Sequence, residues 1–173
     1  MSNNIGRLPI TIPTNIQIKI IKFNLPFYSL VFVGNKATKS IIIPNNIKSI
    51  INNNTLLLDG SSADTPEIWG TLRVHIANAI KGATEGYSIK LNIIGIGYKV
   101  EYTKPILTLN IGKSHPLKFI VPEDIKITQI NSSSILGMAT SKEKLHSFFN
   151  QIKLKKSASK DRYKGKGIAL EPL

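Results

Sequence analysis

Ile41-Ile-Ile-Pro44-Asn-Asn-Ile47-Lys48 is echoed, 78 residues further along the chain, by Phe119-Ile-Val-Pro122-Glu-Asp-Ile125-Lys126. The same offset sets Val31-Phe-Val-Gly34 against Leu109-Asn-Ile-Gly112. Across positions 31–48, five of eighteen pairs are identical: Gly34/Gly112, Ile42/Ile120, Pro44/Pro122, Ile47/Ile125 and Lys48/Lys126. The retained residues are turn glycines, strand-ending prolines and core aliphatics, which are the positions a fold constrains. Solenoid repeats recur every 20–50 residues or so. A longer period marks a duplicated domain.

Each copy reads in the same way. Apolar, β-branched runs separated by Gly, Asn and Pro predict strands and hairpins. In the first copy these runs are 16–23, 28–33, 39–43 and 55–58; in the second they are 87–102, 106–111, 117–121, 125–130 and 134–136. One helix closes each copy. The first is expected to open near Thr65 with Pro66 as its first helical residue, where a missing N–H costs nothing. Its apolar stripe is Ile68, Trp69, Leu72, Ile76 and Ile80, and Gly82 is the expected stop. The second has Thr140-Ser-Lys-Glu143 as a capping box, then Leu145, Phe148, Phe149 and Ile152 on one face. The expected fold class is α+β: two tandem duplicated small domains, each an antiparallel sheet with one helix on a face, plus a basic C-terminal tail. The boundaries are drawn at 1–82, 83–152 and 153–173.

Composition narrows the partners. The chain has 173 residues, 42% of them apolar, so it can fill real cores in one ordinary domain or two small ones. Its formal charge is +13, which points to nucleic acid or an anionic membrane surface. There is no cysteine, so disulfide frameworks and thiolate metal sites are excluded. No apolar run approaches the ~18 residues of a membrane span. The opening Met1-Ser-Asn-Asn-Ile-Gly-Arg-Leu-Pro9 reads as neither a signal peptide nor an Arg-rich presequence. Twenty-nine Ile, 15 Asn and 20 Lys stand against three Arg, the bias of AT-rich codons. An AT-rich organellar genome produces that bias, and so does an AT-rich bacterium.

The cationic density peaks near the C-terminus. Lys153-Leu-Lys155-Lys156-Ser-Ala-Ser-Lys160-Asp-Arg162-Tyr163-Lys164-Gly165-Lys166-Gly167 holds seven cations and the single carboxylate Asp161. So few apolar residues cannot offset the entropy of ordering, and the composition predicts a segment that stays mobile until an anionic surface fixes it. Polyphosphate suits it, because each neutralised phosphate releases counterions. A solubilising tail without a partner is the plainer alternative.

Catalytic patterns are missing. His75, His115 and His146 have no ligand partners at short spacing. Gly112-Lys113-Ser114 mimics the end of a phosphate-binding loop, but the position of its first glycine is Leu107. Gly95-Ile96-Gly97 lacks a third glycine, and paired strand glycines more often mark a bulge or a close backbone approach. No carboxylate pair stands out for acid–base work. The reading is a non-enzyme without cofactor, metal or small-molecule substrate. Binding features remain: Tyr98 and Lys99 after the glycines, and Lys113, Ser114 and His115 in the turn after Ile111. Such donors suit RNA read by its shape, though an ordinary polar hairpin turn accounts for them equally well. Tyr163 is placed to stack on a base or to anchor the tail.

Five segments, in order, resemble the bacterial-type large-subunit ribosomal protein six family. They are Ile5-Gly6-Arg7-Leu-Pro9-Ile10-Thr-Ile12-Pro13; Gly70-Thr-Leu72-Arg73 through Asn78, Gly82 and Thr84 to Tyr87; Gly95-Ile-Gly97-Tyr98-Lys99; Gly112-Lys-Ser114-His115-Pro116; and Tyr163-Lys164-Gly165-Lys166-Gly167-Ile168. The chain departs from the family pattern at Ala169, usually basic, in the aromatic second helix, and in the glycine-poor hairpin Gly34-Asn-Lys36-Ala. The resemblance implies two related α/β domains on large-subunit ribosomal RNA near the factor-binding region, with neighbouring ribosomal proteins, translation factors close by, and no membrane. It places RNA contacts on Lys99, Lys113, Ser114, His115, Arg162, Tyr163, Lys164, Gly165, Lys166 and Gly167. The charge of the tail adds Lys153, Lys155, Lys156 and Lys160. The implied location is a ribosome of the mitochondrial matrix, encoded in the organelle, with plastid or bacterial cytoplasm as alternatives. A peripheral membrane protein and an off-ribosome RNA-binding protein are the competing readings.

Overall fold

The computed structural model describes residues 6, 8–60, 66–112, 114–155 and 166–172. The chain divides into two compact units, Met1–Glu85 and Gly86–Leu173. The first contains β1 (Ile10–Thr11), β2 (Gln17–Leu25), β3 (Phe27–Val33), β4 (Thr38–Pro44), β5 (Lys48–Asn52), β6 (Thr55–Asp59) and α1 (Pro66–Thr84). The second contains β7 (Tyr87–Ile94), β8 (Lys99–Thr103), β9 (Ile106–Asn110), β10 (Leu117–Ile120), β11 (Ile125–Asn131), β12 (Ser134–Ala139), α2 (Lys142–Lys155) and β13 (Gly167–Pro172). The fold is α+β with antiparallel pairing throughout.

The expected single sheet of each copy is two sheets. In the first unit their orders are β1-β6-β5 and β2-β3-β4. In the second they are β11-β12-β7-β13 and β10-β9-β8. Apart from β13, the two units therefore share one topology. The offset of 78 holds through β4/β10 and β5/β11, where Ile43 and Ile47 are buried like Val121 and Ile125. It fails on β3/β9. There the buried pair Leu30 and Phe32 answers to Leu107 and Leu109, one residue fewer. The register gives the reason: Phe32 pairs with Lys39, while Leu109 pairs with Leu117, so the second hairpin is one residue longer. The Gly34/Gly112 identity thus stands one residue out of structural register.

Other boundaries move for local reasons. The expected strand 87–102 breaks into β7 and β8 at a turn closed by the Tyr98 N–H and the Gly95 carbonyl, 3.3 Å apart. The short strands β1 and β5 carry too little pattern to be read from sequence. In α1 the apolar face is Trp69, Leu72, Ile76, Ile80 and Ala83, whereas Ile68 is exposed. Gly82 does not end this helix. It is buried inside it, and Gly86, with φ of 76°, supplies the left-handed residue just beyond the end. Thr65 lies outside the described residues. The cap of α2 is Ser141, one residue later than expected, with its Oγ 3.4 Å from the Lys144 N–H.

The helices close separate cores. Trp69 joins Leu30, Phe32, Ile43, Leu56 and Ile76 in the first, where its Nε1–H donates to the Leu58 carbonyl at 3.1 Å. In the second, Phe149 and Leu145 of α2 lie over Gly137 of β12, where a Cβ would meet the Phe149 ring. That missing side chain lets α2 settle closely on its sheet.

β13 is the largest departure from expectation. The last residues of the supposed tail pair with β7 from Gly167↔Ile94 to Pro172↔Ile89, and Ile168 is fully buried. Ile168 and the half-buried Leu170 supply the apolar contact that the basic run before them lacks.

Candidate nucleic-acid interface

The second unit gathers several expected site residues at one end. β7 finishes there at Ile94, β13 begins opposite it at Gly167, and β12 begins at Ser134, paired with Asn92. Lys99 opens β8 at this end and pairs with Asn110, the last residue of β9. Ser114 and His115 are exposed in the adjoining β9–β10 turn, and Lys166 is exposed at the entry to β13. Gly167 is buried and carries φ of 153°, a conformation that glycine adopts without strain. Lys153 and Lys155 are exposed in the last turn of α2, which starts three residues after β12 ends and runs back over the sheet. Lys113, Lys156, Lys160, Arg162, Tyr163, Lys164 and Gly165 lie outside the described residues, as does most of the expected mobile segment.

Two side chains hold this end together in roles that the sequence pattern did not reveal. Tyr98 packs against both glycine turns. A Cβ on Gly95 would approach its ring to 2.5 Å, and one on Gly112 to 2.9 Å. The glycines are therefore needed for close approach of Tyr98, and their presence in both turns was the available signal. The second is Gln129, whose Nε2 donates to the Val100 carbonyl at 3.0 Å while its Oε1 accepts from the Tyr102 N–H at 3.3 Å. The β11–β12 turn is tied in as well, since the Ser132 and Ser133 carbonyls accept from Val100 and Ile93, each at 2.7 Å. No motif announces these ties, because they depend on register.

Tyr98→Ala should leave the second unit folded but let the two turns separate. The RNA binding that the resemblance implies is expected to weaken by about 1 kcal/mol, on the scale of one half-buried aromatic contact. Circular dichroism checks the fold and fluorescence anisotropy the binding; unchanged affinity would remove Tyr98 from the arrangement.

Chemically this end offers ammonium groups, a hydroxyl, an imidazole and exposed backbone, which suit phosphates and ribose hydroxyls. Among the described residues, no three His, Cys, Asp or Glu side chains are grouped to hold a metal ion. No described helix is long and apolar enough to cross a membrane.

The structure is that of a duplicated α+β protein with exposed lysines gathered at one end of its second unit. No family model matches the chain. Curated relatives do. It is 32% identical over 168 residues to large ribosomal subunit protein uL6 of Thermoanaerobacter sp. (strain X514), covering 96% of this chain and 90% of that one. It is 30% identical over 153 residues to large ribosomal subunit protein uL6 of Stenotrophomonas maltophilia (strain R551-3), covering 88% and 87%. The chain belongs to the uL6 family of large ribosomal subunit proteins.

Proposed function

We propose that the protein is a structural, non-catalytic constituent of the large ribosomal subunit that binds its ribosomal RNA through the basic end of the second unit. The observation that carries this reading is the convergence of Lys99, Ser114, His115 and Lys166 where the basic segment re-enters the fold as β13. β13 anchors the far end of the run 153–166 and α2 the near end, so the cations between them are tethered at both sides. The proposal extends to Lys113, Lys156, Lys160, Arg162, Tyr163, Lys164 and Gly165 by their place in that run. Lysine outnumbers arginine, so most contacts are point-charge neutralisation of phosphate and few are bidentate base recognition. The site lies near the factor-binding region of the subunit, beside other ribosomal proteins and within reach of translation factors. The AT-rich composition supports a mitochondrial ribosome, with plastid or bacterial ribosomes as the alternatives. Membrane attachment through the basic run has less support, since only Leu154, Tyr163 and Ile168 there could insert, and Ile168 is buried in β13.

The test is the salt dependence of binding to a large-subunit RNA fragment. Replacing Lys153, Lys155 and Lys166 by Gln should flatten the log–log slope by about 0.7–0.9 for each phosphate that these lysines neutralise. An unchanged slope would exclude them. Neutralisation is the right variant. Cutting the chain after Ile152 would also delete β13 and confuse loss of charge with loss of fold. Co-sedimentation with the large subunit through a high-salt gradient tests membership and identifies the compartment.

A further inference from the structure

The duplication exposes an unmatched strand edge in the first unit. β2 is the terminal strand of its sheet, and its counterpart β8 is terminal in the second. On β8 the outer edge is covered, because Gln129 satisfies the Val100 carbonyl and the Tyr102 N–H. The position equivalent to Gln129 on β5 is Ile51, an exposed isoleucine that can neither donate nor accept. β2 is therefore an edge without that cover, in regular register with β3 over Gln17–Lys22 and shifted before Leu25, and an uncovered edge that carries apolar side chains can template pairing with another strand.

Both faces beside the edge carry exposed apolar side chains among lysines. On one, Ile21 shares a row with Ser29 and Ile42, and Ile42 is 61% exposed. On the other, Ile20 and Phe23 border a cleft of about 550 Å³ that reaches Tyr28, Ile47 and Ile50. An added strand would place alternate side chains on these two faces. The charge around them has one sign: Lys19 and Lys22 lie on β2 itself, and the first 58 residues contain no carboxylate. Ribosomal RNA gains little from the exposed isoleucines Ile20, Ile21 and Ile42, whereas an acidic peptide with alternating apolar residues complements both them and the lysines.

We propose that β2 accepts an extended acidic segment of a neighbouring protein as a fourth strand of the β2-β3-β4 sheet. Main-chain hydrogen bonds would provide the pairing, the Ile20 and Ile21 faces the side-chain selection, and Lys19 and Lys22 the carboxylate contacts. The inference rests on membership of the large subunit, so the experiment reads that first. Full-length chain carrying a photo-crosslinking residue in place of Ile20 or Ile21 is incorporated into large subunits and its co-sedimentation measured. Irradiation of the purified particle is expected to join it to one protein, at a segment rich in Asp and Glu. Ile51→Gln, which restores the cover seen on β8, is expected to lower the yield several-fold while co-sedimentation holds. Crosslinks to RNA, to a second copy of this chain or to a basic segment would overturn the proposal. So would a particle that contains the chain yet gives no crosslink, or a yield unaffected by Ile51→Gln. Failure to co-sediment would instead count against the ribosomal reading.

Discussion

Deleting Gly167–Leu173 is expected to destabilise the second unit by about 3 kcal/mol or more, in a segment whose composition reads as a tail. The buried Ile168 side chain alone is worth roughly 1.5–3 kcal/mol of apolar burial, and the half-buried Leu170 adds to it. The deletion also strips β7 of one neighbour along six paired positions and leaves a central strand as an open edge. Urea denaturation followed by circular dichroism would show the loss, and Ile168→Ala should by itself cost about 2–5 kcal/mol, the lost burial plus the cavity it leaves. Amide exchange in β7 should quicken in parallel. If both variants keep the parent's midpoint, β13 contributes nothing to stability and the segment acts as a tail along its whole length.

Replacing Phe149 by Ala should cost about 3–5 kcal/mol, the range for emptying a fully buried aromatic site. Its edge-to-face contact with Phe148, at 5.6 Å between centroids, goes with it. The position is coupled to Gly137 on β12. In the parent chain Gly137→Ala pushes a methyl group into the Phe149 ring and should cost about 1–3 kcal/mol by overpacking. In the Phe149→Ala background the same methyl meets space, so the double variant should be more stable than the sum of the singles predicts, with a coupling of about 1–2 kcal/mol. Additive costs would mean that helix and strand do not meet there. Trp69, the only tryptophan, lies in the first unit and offers a separate probe of that core in both experiments.

The two cores show how evenly the duplication has been kept and where it has drifted. Element order, sheet order and the buried rows of β4/β10 and β5/β11 are shared. The differences fall at sheet margins. The second unit has β13 on one edge and Gln129 on the other, together with a hairpin longer by one residue that carries Ser114 and His115. The basic end and the covered edges thus belong to the same copy. The first copy retains the barer edge.

The sequence by itself determined the class of fold and most of its elements. Alternation of apolar residues decides a strand locally, a stripe at helical spacing decides a helix, and a repeated pattern of Gly, Pro and Ile needs no tertiary information to be seen. It also located the charge, in the run from Lys153 to Lys166. Tertiary structure alone decided which strands are neighbours, that Gly95 and Gly112 both receive Tyr98, and that Gln129 covers β8. It likewise decided that Gly167–Pro172 is a strand, because six residues with two apolar contacts form no stable structure until β7 presents an edge to them. Periodicity records which side of an element is apolar. It holds no record of what that side meets, since contacts between distant segments depend on register, and register is set only when the sheets close.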